Sequence, residues 1–208
     1  FAPKNIEAEV AASFSKSDFA RTELGSMDET VFDLALGAAS CAVKSGAVEG
    51  PRTLTIIDYS RPSTEKRLWV VDLTTRELLY EELVAHGQGT GANIASKFSN
   101  NADSHQTSLG LFVTDTTYVG KNGYSLRLNG LDEGFNHHAR ERAIVMHGAP
   151  YVSEDFVKAN GFEGGDPYVF PDCIQAIFPV IGWATPVAPG LLWLRMPFLD
   201  GKDVFAGA

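Results

Sequence analysis

Short apolar segments recur from residue 53 onward, each closed by glycine, proline or a polar turn: TLTIIDY (53–59), RLWVVDL (67–73), ELLYEELVAHG (77–87), TSLGLFVTD (107–115), YSLRLNG (124–130), RAIVMHG (142–148) and GLLWLRM (190–196). Alternating or continuous apolar runs of this length, bounded by turn residues, read as β-strands. Lys121-Asn122-Gly123 supplies a hairpin turn between two of them. The 20 glycines and 13 phenylalanines fit a turn-rich β protein better than a helical bundle. The expected fold is therefore mainly β, an antiparallel sandwich or partly closed barrel, with an N-terminal helix and short accessory helices outside it.

The helix precedes the strands. Val31, Phe32, Ala35, Leu36, Ala39 and Val43 recur at helical spacing, Ser26 or Asp28 can cap the start, and Gly46 and Gly50 close it. Cys41 falls on this helix and reads as a small buried residue. Residues 1–50 are expected to form an arm and helix packed on a body of residues 51–208. Ser153 can cap a short helix through Asn160, stopped by Gly161.

The net charge of −9 disfavours nucleic acid and anionic lipid as partners, because both demand clustered Lys and Arg. No stretch approaches a membrane span: Pro179, Gly182, Pro186 and Pro189 interrupt the longest apolar run. The chain begins at Phe1, which fits a removed leader.

His147 closes the strand Ala143-Ile144-Val145-Met146 and is followed by Gly148, whose bare backbone leaves room for a substrate. A ring at that place is either a catalytic base or a core histidine satisfied by a carbonyl. A base needs a nucleophile. Cys173, inside FPDCIQAIF, reads as the start of a helix, where the positive end of the dipole acidifies a thiol; the alternative is a buried apolar cysteine. His86 ends a strand before Gly87-Gln88-Gly89-Thr90-Gly91, a string without the GK[ST] ending of a phosphate loop, and reads as bordering a site. His137 and His138 lie beside Asp132 and Glu133, but no HExxH or CxxC accompanies them, so neither metal nor cofactor is expected. No serine stands in a GxSxG setting.

The blocks LTIIDYSRPSTEKRLWVVDL, LVAHGQGTG, KFSNNADSHQTSLGLF, TYVGKNGYSLRLNGLDEGFN and RAIVMHGAPYVSEDF, in this order, resemble the YkuD-type murein L,D-transpeptidase catalytic domain, in the branch typical of exported Gram-negative proteins. The resemblance covers roughly residues 52–161. It implies a YkuD-like β-sandwich, a cysteine nucleophile, a histidine base matching His147, and peptidoglycan stem peptides as substrate in the periplasm or outside the cell. It also implies that the family's Ser-x-Gly-Cys motif would place glycine at Tyr168 and cysteine at Val169. Three accounts stay open: an insertion that moves the nucleophile to Cys173, a fold that has lost its activity, or a sequence error over this stretch. Tyr118, Arg142, Gly148 and His86 are the expected substrate contacts, with Arg127 a further arginine able to pair the stem's carboxylates. A non-catalytic peptidoglycan-binding protein, an L,D-carboxypeptidase and a cysteine peptidase are the alternatives.

Overall fold

The computed structural model describes residues 14–121, 123–149, 151–160, 174–176 and 191–195, with the backbone alone for residue 160 and the last two segments. Among the described residues nine strands make one mixed sheet: β1 Thr53–Asp58, β2 Leu68–Asp72, β3 Glu77–Glu82, β4 Val84–Ala85, β5 Gly110–Gly120, β6 Gly123–Gly130, β7 Val145–His147, β8 Ile174–Ala176 and β9 Leu191–Arg195. The spatial order is β3-β2-β1-β9-β5-β6-β7-β8-β4.

The pairing is not wholly antiparallel, as the strand spacing suggested. β9 inserts between β1 and β5 and runs parallel to β1, and β8 runs parallel to β7. Parallel neighbours cannot be joined by a tight turn, so each must come from a distant part of the chain. Local periodicity carries no trace of such a partner.

Residues 77–87 read as a single strand, yet they form two. β3 and β4 are the opposite edges of the sheet, although Leu83 alone separates them in sequence. Glu82 and Val84 are two Cα steps apart, at most about 7 Å, so the sheet must roll until its edges approach. Among the described residues the edges do not pair, and the roll does not close into a barrel.

Each face of the roll has its own core. Ile57, Leu68, Val70, Val84, Phe112, Leu126 and Met146 gather on one face, drawn from strands near both edges, which makes it the inside of the roll. On the other face Leu54, Ile56, Trp69, Val71 and Leu111 meet Val31, Phe32, Ala35, Leu36 and Ala39 of helix α1, Glu29–Lys44. Ile56 and Ile57 thus serve opposite cores, as the two-residue period of a strand requires. Asp28 caps α1 by accepting from the N–H groups of Thr30 and Val31. Cys41 is exposed and free rather than buried; its apolar neighbours Ala39 and Ala42 face the core instead. A second helix, α2, Glu154–Asn160, follows β7.

Ile174–Ala176 form a strand, not the first turn of a helix. A short apolar run is ambiguous by periodicity, and here open backbone on both β7 and β4 decides it.

Candidate active site

β7 ends on His147 because its neighbours fix it there. His147 lies opposite Ser125 of β6 and beside Gln175 of β8, while Ser125 lies opposite Tyr118 of β5. Register partners point to the same face, so Tyr118, Ser125 and His147 form one row across the outer face of the sheet. Tyr118 is therefore a strand residue and not part of a turn. Met146, one residue back, faces the inner core instead.

The His147 ring is 2% exposed. Nδ1 lies 2.8 Å from the carbonyl oxygen of Gly148. A carbonyl only accepts, so Nδ1 carries the proton, and the lone pair is on Nε2. That atom is buried and, among the described residues, makes no hydrogen bond. Burial holds the ring's pKa below the ordinary histidine value, against a weaker opposing effect of the Gly148 carbonyl. The ring is consequently neutral at neutral pH, with its basic nitrogen uncommitted.

Gly148 contributes to the site through that carbonyl. Arg142, expected to bind substrate carboxylates, spends its fork inside the protein. Nη1 donates to Ser99 O and Ser108 Oγ, both at 2.6 Å, and Nη2 donates to Gln106 O at 2.7 Å and Ser104 Oγ at 3.1 Å. Its place is a clasp on the 99–108 loop, just before β7.

His86 is likewise engaged on both nitrogens. Arg67 Nη2 donates to Nδ1 at 2.9 Å, and Nε2–H donates to Gly91 O at 3.2 Å. Its tautomer is the opposite of that of His147. The ring is 5% exposed, and burial together with the Arg67 guanidinium pushes its pKa down to about 4. His86 thereby holds the glycine loop at Gly91. Arg67 also donates to the carbonyls of Val84 and Arg61 and lies over the ring of Tyr59. This buried cation was not singled out in the sequence, where it looks like the polar start of a strand.

His137 and His138 are surface residues paired with Glu133 and Glu141. Among the described residues no group of three His, Cys, Asp or Glu gathers as a metal would need, and no helix is long and apolar enough to cross a membrane. Cys173, Val169 and Tyr168 lie outside the described residues.

A curled mixed sheet with a buried neutral histidine at the end of an inner strand is a framework for nucleophile–base chemistry. The family model for the L,D-transpeptidase catalytic domain matches residues 23–184, and the chain belongs to that family. Among solved structures, an L,D-transpeptidase from Mycobacterium smegmatis is 14% identical, with 73% of this chain and 64% of that one covered and a TM-score of 0.37. The L,D-transpeptidase LdtMt1 in complex with imipenem is 13% identical, with 71% and 61% covered and a TM-score of 0.38. An L,D-transpeptidase from Xylanimonas cellulosilytica is 11% identical, with 77% and 71% covered and a TM-score of 0.36. The chain thus spans less than two thirds of the first two of these structures. No curated protein matches it.

Proposed function

We propose that this chain is a cysteine-dependent peptidoglycan L,D-transpeptidase acting outside the cytoplasm on tetrapeptide stems, with residues 51–208 as the catalytic body and residues 1–50 packed on it. The observation that carries the reading is the buried, unbonded Nε2 of His147 in a ring locked in the Nδ1–H tautomer. A general base needs that lone pair facing its proton donor.

Cys173 is the proposed nucleophile. Supporting this, β8 starts at Ile174, the next residue in the chain, and pairs with the strand that carries His147. With Ile174–Ala176 in a strand, a helix dipole is no longer the source of thiol acidity, and the neighbouring imidazole takes that part. Nε2 removes the thiol proton as sulfur attacks the carbonyl at the L-centre of the diaminopimelate residue. Backbone N–H groups hold the oxyanion, each worth roughly 100- to 1000-fold in rate. The tetrahedral intermediate collapses to a thioester, and the imidazolium returns its proton to the departing D-alanine amine. The amine of a second stem then resolves the thioester into a cross-link, and water resolves it into a carboxypeptidase product.

The test is alkylation in a Cys41→Ser background, which leaves Cys173 as the sole thiol. Iodoacetamide should abolish D-alanine release, and the tetrapeptide should slow the labelling. Full turnover after complete alkylation contradicts the nucleophile. Valine at position 169, where the family's motif has cysteine, favours a second reading, a peptidoglycan-binding protein without turnover. That protein would retain the stem and release no D-alanine.

A further inference from the structure

Resting on the transpeptidase reading, we infer that Arg127, stacked on Tyr118, is the residue that selects substrate by gripping a free carboxylate of the stem peptide. Arg127 lies on β6 opposite Val145, two residues from Ser125, the partner of His147. It therefore shares a sheet face with His147, as its diagonal neighbour, a relation that sets two residues roughly 7–8 Å apart with their Cβ atoms somewhat closer.

The guanidinium does not stand straight above its own position. Its carbon lies 4.2 Å from the centroid of the Tyr118 ring. Tyr118 is opposite Ser125 and so belongs to the His147 row. The side chain thus leans along β6 toward the level of the histidine. The ring beneath it limits its freedom and shields one face.

What makes this cation distinctive is what it lacks. Among the described residues the Arg127 guanidinium makes no hydrogen bond and no ion pair; its one specific contact is the Tyr118 ring. The other arginines of this region are committed. Arg142 clasps its loop, Arg140 pairs with Asp115, and Asn129, the next residue of this face on β6, donates to the same Asp115. Arg127 and Tyr118 are both half-buried, so the fork is partly desolvated yet reachable. A planar fork resting on a ring presents its N–H edge sideways, the geometry that takes a carboxylate with two parallel bonds.

A stem ending in diaminopimelate and D-alanine offers two candidate carboxylates, the side-chain carboxylate of diaminopimelate and the C-terminal carboxylate of D-alanine. Amidation of each in turn tells them apart. The experiment is a calorimetric titration of the chain with the free stem and with each singly amidated stem, with released D-alanine measured in the same samples. One amidation should weaken binding roughly 10- to 100-fold, the worth of hydrogen bonds to a charged group. Arg127→Ala should bind free and amidated stems alike, and Arg127→Lys should recover part of the preference. Arg127→Gln, which keeps the stem and a donor without the charge, replaces the alanine variant if that one does not fold.

Retained discrimination in Arg127→Ala or Arg127→Gln, or equal binding of all three stems by the unsubstituted chain, overturns the assignment. The two readings fail separately. Discrimination without D-alanine release removes the transpeptidase reading and keeps Arg127. Release without discrimination does the reverse.

Discussion

The Nδ1 atom of His147 lies 2.8 Å from the carbonyl oxygen of Gly148, the very next residue, and among the described residues this contact sets the tautomer of the ring. Because burial lowers the pKa of the ring, the acid limb of the pH–rate profile should fall below the ordinary histidine value near 6.5. A profile of kcat/KM for D-alanine release checks this. An acid limb at or above 6.5 places the titrating group elsewhere.

His86 makes stability depend on pH. Its folded pKa of about 4 is below its unfolded value near 6.5. The unfolded chain then binds more protons between these values, so stability is full above about 6.5 and is lost as pH falls toward 4. His147 is shifted in the same direction and adds to the loss. The expected cost from His86 is roughly 2 kcal/mol on going from pH 7 to pH 5. Urea unfolding at both pH values measures it, and His86→Gln should flatten the difference even though the variant is less stable throughout.

Arg142 should behave as a structural clasp. Its guanidinium ties together Ser99, Ser104, Gln106 and Ser108. Arg142→Lys cannot reproduce the fork and leaves acceptors unmet. A loss of roughly 2–4 kcal/mol is expected. Hydrogen exchange should quicken first at the Ser99 and Thr107 amides, which bond across the clasped loops. Unchanged stability with a raised KM would instead restore Arg142 as a carboxylate contact.

Two glycines should respond oppositely to alanine. At Gly130 a Cβ would collide with the backbone carbonyl of Asn136, where β6 leaves the sheet. That backbone cannot yield, because Asn136 is itself bonded to Leu111 and Asp132. Gly130→Ala should cost about 2 kcal/mol or more. At Gly37, on the exposed side of α1, a Cβ meets nothing. Gly37→Ala should gain roughly 0.5–1 kcal/mol through helix propensity. Thermal melts of the pair check both signs.

Sequence pattern identified most strands, and it placed a helix over α1 with Ser26 or Asp28 as its cap, of which Asp28 is the one used, because capping and periodicity are local properties. It misjudged what depends on distant partners. Residues 77–87 keep one apolar rhythm across a break at Leu83 that only the curl of the sheet explains. Ile174–Ala176 became a strand because β7 and β4 left room for one. At the site, the position of His147 at the end of a strand was legible, because an apolar run closed by a polar ring and glycine is a local pattern; its role as base rests on the proposal above. The division of labour between Arg142 and Arg127 was not, since both are arginines near apolar residues, and only hydrogen-bond partners distinguish a clasp from an uncommitted fork. Arg67 was invisible for the same reason: its partners are backbone carbonyls and a histidine from elsewhere in the chain.

The proposed base, His147, is probed by D-alanine release from a tetrapeptide stem by His147→Gln. Glutamine keeps a donor for the Gly148 carbonyl but offers no comparable lone pair. Release should fall by roughly 100-fold or more, the usual contribution of general base catalysis, while the melting temperature and stem binding stay near those of the unsubstituted chain. Release at the unsubstituted rate would show that the thiol proton goes to a group other than His147.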